Sequence, residues 1–267
     1  MPLVGSYTSP DGMTIRMKQL TRMVQGVRIE LDTELSDEAL RRSPNGLWQK
    51  QALSFHFEDK NGKEIHSVNT RKAPHMESLL SKSSVPGAKP GQMHWSYTFE
   101  YLPQNEPYRF ILDGYSVDET DGTSVTFQPS KLKTKPVLFQ SYGDAIKLKD
   151  FTIESSQGKD VSNNEGTLHI TGKLLNEFDG SDWQLKDSMG KVYSLTPRGG
   201  ISVSQSNVMD WKSGLLLLEG GGVTEKWFQL RAEKLNNIPD ILTLTRTVVN
   251  HRYTNVDWAI AIMEQKL

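Results

Sequence analysis

"TIRMKQLT" occupies residues 14–21 and "AIKLKDFT" occupies residues 145–152, so the chain writes nearly the same eight residues twice, 131 positions apart. Each copy runs apolar, basic, apolar, lysine, polar, apolar, threonine. Up to that lysine, side chains of opposite character alternate with a period of two, the period of a strand with one face in a core and one in water. An alternating octapeptide recurs easily by chance, so a duplication requires further landmarks at the same offset. "FEDKNGKEI" (57–65) matches "LKDSMGKVY" (185–193), with Asp59/Asp187, Gly62/Gly190 and Lys63/Lys191 each 128 apart. Pro107 and Pro239 each precede an apolar segment, "YRFIL" (108–112) and "DILTL" (240–244). "TSVTFQ" (123–128) and "VDWAIAI" (256–262) close the two copies in the same order. A tandem duplication of a domain-sized unit is the reading, with residues 1–135 and 136–267 as the two domains and "KLKTKPVLFQSYGD" (131–144) as the junction.

Within each copy the strand period dominates. Ile15, Met17 and Gln19 alternate with Arg16 and Lys18; Val27, Ile29 and Leu31 alternate with Arg28, Glu30 and Asp32. Trp95, Tyr97, Phe99 and Tyr101 share a face, as do Val256, Trp258, Ile260 and Ile262. "DKNGK" and "DSMGK" carry the Asp and Gly of hairpin turns. Only "SDEALRR" (36–42) and "HMESLLSK" (75–82) read as short helices. The expected fold is all-β: two tandem immunoglobulin-like antiparallel β-sandwiches related by internal duplication. The long segments 69–92 and 196–225 fall at the same place in each copy, and "GLLLLEG" (214–220) suggests an extra strand in the second.

Composition narrows function mainly by exclusion. Net charge is −1, with 17 Lys+Arg against 16 Asp+Glu through Gln140 and 14 against 16 beyond it, so neither half has the basic excess of a nucleic-acid binder. There is no cysteine, hence no disulfide, thiolate nucleophile or cysteine-ligated zinc. The six histidines have no H-x-x-x-H spacing, "GISVS" (200–204) misses the G-x-S-x-G elbow, and "GGG" (220–222) lacks the Lys and Ser/Thr of a P-loop. "DGYSVDETDG" (113–122) holds four carboxylates without the spacing of a calcium loop and reads as a solvated hairpin turn. No catalytic residue, cofactor or metal is expected. The candidate contact residues are Trp211, in a loop-like segment, and Trp227, out of phase with Phe228, Leu230 and Ala232; exposed indoles stack on sugar rings or anchor protein interfaces.

The two first-strand copies, the segment "LKDSMGKVYSLTPRGG" (185–200), led by Asp187, Gly190 and Tyr193, and the ending "IPDILTLTRTVVNHRYTNVDWAIAI" (238–262) together carry a family likeness. The chain resembles the extracellular half of Gram-positive membrane proteins of the anti-sigma-factor-like kind, known as domains of unknown function. The resemblance implies a non-catalytic, cell-surface binding or sensing ectodomain. It also implies an N-terminal transmembrane helix upstream of Met1, so that contact with the membrane runs only through an anchor absent from this chain. The partner is a protein or envelope component of unknown identity, and nucleic acid is not expected. The alternative is a carbohydrate-binding β-sandwich module of a surface protein.

Overall fold

The structure, a computed structural model, describes residues 1–68, 79–104, 106–155, 164–200, 207–210, 215–218, 227–233 and 238–263. Its contacts divide it into two compact units: Met1–Val117 with Asn207–Leu216 and Tyr253–Leu267, and Asp118–Ser206 with Leu217–Arg252.

In the first unit, one antiparallel sheet has the order β1-β2-β3-β7-β6: β1 (Ser6–Thr8), β2 (Met13–Met23), β3 (Gly26–Leu35), β7 (Gln92–Phe99) and β6 (Leu79–Pro86). The facing layer pairs β5 (Glu64–Ser67) with β4 (Gln51–Glu58), β4 with β8 (Tyr108–Thr120), and β8 with β19 (Trp258–Ile262). Their inner faces close over Ile15, Ile29, Phe55, Phe57, Tyr97, Phe99, Phe110 and Ile262, all at most 2% exposed. Phe55 alone meets Phe57, Tyr97, Phe99 and Phe110 at ring distances of 4.8–6.2 Å. Burial of each such ring contributes about 1.5–3 kcal/mol. The predicted helix 36–42 is present as α1 (Asp37–Arg42), whose N-cap Ser36 accepts from the Ala39 N–H. The helix expected over 75–82 is not: its described part, residues 79–82, lies in β6. That strand is an edge, and its guards are physical ones: a register shift at Leu80, Pro86 at the end, and Lys82, whose ammonium lies 5.6 Å from the Trp95 ring.

The second unit runs β10 (Val137–Ser141), β11 (Asp144–Ser155), β12 (Asn164–Lys173), β17 (Trp227–Glu233), β14 (Val192–Gly200), β13 (Glu177–Asp187), β18 (Leu242–Tyr253), then β9 (Ser124–Phe127). Phe139, Ile146, Leu148, Leu168, Ile170, Trp183, Leu185 and Leu244 form its core. β15 (Asn207–Asp210) and β16 (Leu215–Leu218) make a separate two-stranded ribbon, the latter the extra strand expected from the leucine run.

The repeated octapeptide has a structural meaning that alternation alone misses. In both copies the register slips by one residue, between Met17 and Gln19 on β2 and between Leu148 and Asp150 on β11. The extra residue is the second basic residue of the motif, Lys18 or Lys149. A bulge makes two successive residues face one partner and reverses the phase beyond them. Hence Ile15, Met17 and Leu20 are buried, as are Ile146, Leu148 and Phe151, while Gln19, expected inward, is exposed. A second pair of slips falls between Ser54 and Phe55 against β8, and between Asp182 and Trp183 against β18. The hairpins also agree: Asp59 Oδ1 accepts from Asn61 N and Lys63 N at 2.8 and 2.9 Å, Asp187 Oδ1 from Met189 N and Lys191 N at 2.9 Å each. Gly62 and Gly190 close these turns at φ +80° and +85°, where a Cβ is strained.

The closing strands are exchanged. β9, which ends the first half of the sequence, pairs with β18, Leu242↔Phe127 through Thr245↔Ser124. β19, which ends the second half, pairs with β8, Trp258↔Leu112 through Ile262↔Tyr108. Compared with a division at 135/136, the first compact unit lacks residues 118–135 and includes 207–216 and 253–267.

Candidate functional site

The acidic segment 113–122 is not the solvated hairpin expected from its composition. β8 continues to Thr120, and Asp113, Asp118 and Glu119 are only 2–4% exposed. A strand keeps carboxylates at these depths only when their oxygens are partnered. Asp113 receives His56, Asp118 accepts from the Asn250 side-chain amide at 2.7 Å, and Glu119 meets His251 Nδ1 at 3.1 Å. Among the described residues no three His, Asp or Glu side chains converge in a metal-binding arrangement.

His56 lies on the outward side of β4 yet is 6% exposed. The slip in β8 makes Asp113 the extra residue and turns it to His56 Nδ1, 2.9 Å from both carboxylate oxygens. His56 Nε2 faces Glu58 at 3.3 Å, and Glu58 in turn accepts from Arg109 at 2.5 Å. Burial disfavours the imidazolium, but the bonds to Asp113 and Glu58 and the charges of Asp113 and Glu64 outweigh it, so the pKa is raised. When protonated, His56 donates from both ring nitrogens and ties Asp113 to Glu58.

In the second unit Arg246 is 1% exposed. Its Nε donates to Asp121 and its Nη1 to Asp144, each at 2.5 Å, and its Nη2 to the Ser141 carbonyl at 3.1 Å; the guanidinium lies 5.4 Å from the rings of both Phe139 and Trp183. The remaining carboxylate oxygens are also used. Asp121 Oδ1 accepts from Thr123 N, Thr123 Oγ1 and Ser141 Oγ; Asp144 Oδ1 accepts from Leu175 N and Asn176 N. Burial opposes ionisation of Asp121, but the bonds from Thr123 and Arg246 prevail and its pKa is lowered. Asp121 lies three residues ahead of Ser124, the first residue of β9, so this centre clamps the lead into that strand to β11 and β18. The sequence signal was legible but unread: in "LTLTR", Arg246 follows Leu242 and Leu244 in the inward phase, and a charge at a core position implies buried partners.

The outer face of the first sheet carries Glu30, Asp32 and Glu34 in a row along β3. Gln19 donates to Glu30, Lys18 and His94 reach Asp32 at 3.1 and 2.7 Å, and Arg16 reaches Glu34 at 2.7 Å. Burial raises the pKa of Asp32, but the bonds from His94 and Lys18 override it and hold the carboxyl below the usual range. Cross-strand ladders of this kind solvate and pin a sheet face.

Trp227 is the first residue of β17, opposite Gly200, and its side chain is outside the described residues, as is the whole of Trp211. Trp95 is 3% exposed and donates Nε1–H to Thr33 at 3.0 Å, a core indole as its phase predicts. No protein-family model matches the chain, and no curated protein matches it.

Proposed function

We propose that the chain is a non-catalytic binding or sensing ectodomain of a cell-envelope protein, akin to the anti-sigma-factor-like surface proteins, built from two sandwiches of common descent. The observation that carries the reading is the agreement between the two units in pairing and in error. β2-β3-β7 and β11-β12-β17 pair alike, as do β5-β4-β8 and β14-β13-β18, with register slips at the same lysine of the repeated motif. Loops carried on a rigid scaffold are where binding residues concentrate, which supports the reading by analogy. The centres at His56 and Arg246 fit that role, since their charges are spent on holding strands together. No helix among the described residues is long and apolar enough to cross a membrane.

The test is surface exposure in the native cell. A C-terminally tagged full-length protein should be cleaved by protease added to intact cells while a cytoplasmic control survives. Protection until lysis would refute the reading. The carbohydrate-binding alternative is favoured by one observation of its own, the setting of Tyr101.

A further inference from the structure

Tyr101 is 57% exposed, and its ring is fixed from below. It meets His66 edge-to-face at 5.2 Å, and His66, 5% exposed, stacks on the core ring of Phe99 at 5.9 Å. A line of three rings thus runs from the core to the surface and ends on an open phenol. Tyr101 stands in an open depression of about 560 Å³ with Ile65 and Pro103 as apolar neighbours and Glu64, Gln104 and Glu106 as polar ones. That volume lies within the range of small-ligand sites, roughly 300–1,000 Å³.

Both walls are held before any ligand arrives. On one side Asp59 ties the 59–63 turn through two backbone N–H groups. On the other, Arg22 donates to the carbonyls of Leu102 and Pro103 at 3.1 and 2.8 Å, and the Leu102 side chain is 2% exposed. Pre-organisation of this kind removes much of the ordering cost of binding.

The chemistry selects a ligand class. Asp59, Glu64 and Glu106 stand against Lys63 among the lining side chains and Lys60, 3.3 Å from Glu106, so the negative charge still outnumbers the positive and opposes phosphates, nucleotides and uronates. A lone aromatic ring does not enclose an ammonium, so a cation gains little beyond the exposed carboxylates. A sugar ring has what the depression offers partners for: an apolar C–H face for Tyr101, Ile65 and Pro103, and vicinal hydroxyls for the carboxylate and amide oxygens of Glu64 and Gln104. We infer that the Tyr101 depression is a binding subsite for an uncharged saccharide. The inference extends the carbohydrate alternative and does not depend on the envelope assignment.

The experiment is an amide-shift titration of the full chain with cellohexaose, maltohexaose and chitohexaose as uncharged probes, the chitosan hexamer as a cationic one and the galacturonate hexamer as an anionic one. At least one uncharged probe should saturate, with shifts centred on residues 59–65 and 101–104. Tyr101→Ala should weaken that binding roughly tenfold or more, and Tyr101→Phe by less than about threefold, because stacking and not the hydroxyl carries it. Tyr101 is exposed enough for both variants to fold, which the unshifted part of each spectrum verifies. Silence with all three uncharged probes overturns the inference. So does preference for either charged probe, or saturable binding that Tyr101→Ala leaves intact. Each of these failures is distinct from failure of the surface-exposure test, which reads location alone.

Discussion

Replacing Arg246 by Leu should be among the most damaging single changes in the second unit. The substitution strands two carboxylates, those of Asp121 and Asp144, each 1% exposed at the side chain. Breaking a buried ion pair by removing one partner typically costs about 3–5 kcal/mol, because the other charge stays buried. Two carboxylates are orphaned here, but each keeps several hydrogen-bond donors, Thr123 and Ser141 for the first and Leu175 and Asn176 for the second. We therefore expect about 3–5 kcal/mol in total, well short of twice that. The first unit supplies the apolar replacement for Arg246. At the matching register positions it has Met13 and Leu112, both buried and apolar, where the second unit has Asp144 and Arg246. The triple variant Asp121→Asn/Asp144→Asn/Arg246→Leu should recover most of the loss, since no charge is left to desolvate and the amide oxygens still accept from Thr123, Leu175 and Asn176. pH gives a further check. The lowered Asp121 pKa contributes stability that is present above its ordinary value of 3.8 and is lost as pH falls through the folded value. The gap between wild type and Arg246→Leu should accordingly narrow toward pH 3–4 as acid neutralises the stranded carboxylates. Urea unfolding, with amide hydrogen exchange on β10, β11 and β18 as the local readout, measures both effects. A loss below about 1 kcal/mol, or a triple variant no better than the single one, would refute this account of the centre.

Trp258→Ala should loosen the first unit although it lies near the end of the chain, by about 2–4 kcal/mol given a partly buried ring stacked on Tyr7 and edge-on to Phe110; exchange protection should fall at residues 108–112 and hold at 242–245. The raised pKa of His56 implies stability that is fully present below its ordinary 6.5 and lost as pH rises through the folded value. His56→Gln should flatten the stability profile over that window, and an NMR titration of the imidazole locates it. Asp59→Ala and Asp187→Ala should each lower the midpoint of thermal or urea melts by a similar, small amount, as expected for the loss of paired backbone bonds at two matching exposed turns.

Much of the fold is readable from residue order because its determinants are local. The period of two, the Asp-x-x-Gly turns and the Ser36 cap each act within a few residues of themselves. The phase reversal at Lys18 and Lys149 is also local, but one lysine looks like any other outward residue until its strand partner is known. Segment 113–120 reads as a turn because Asp, Gly and Ser are turn residues, and its being a strand depends on His56, Asn250 and His251, up to 132 positions away. Segment 79–82 failed for a related reason, since Leu and Lys favour helix in isolation and the open edge of β7 decides otherwise. The Tyr101 depression rests on Arg22 reaching across 80 positions to the Leu102 carbonyl, a contact no composition announces.

The traded closing strands bear on how this chain can be divided. A cut between residues 135 and 136, natural on the repeat alone, yields two pieces that each hold the other's last strand. Neither piece would possess a complete set of layers, and each would present a bare seam beside Leu242 or Leu112 to whatever met it first. The repeat that makes the sequence look severable is wired so that its two halves are obtained together or not at all.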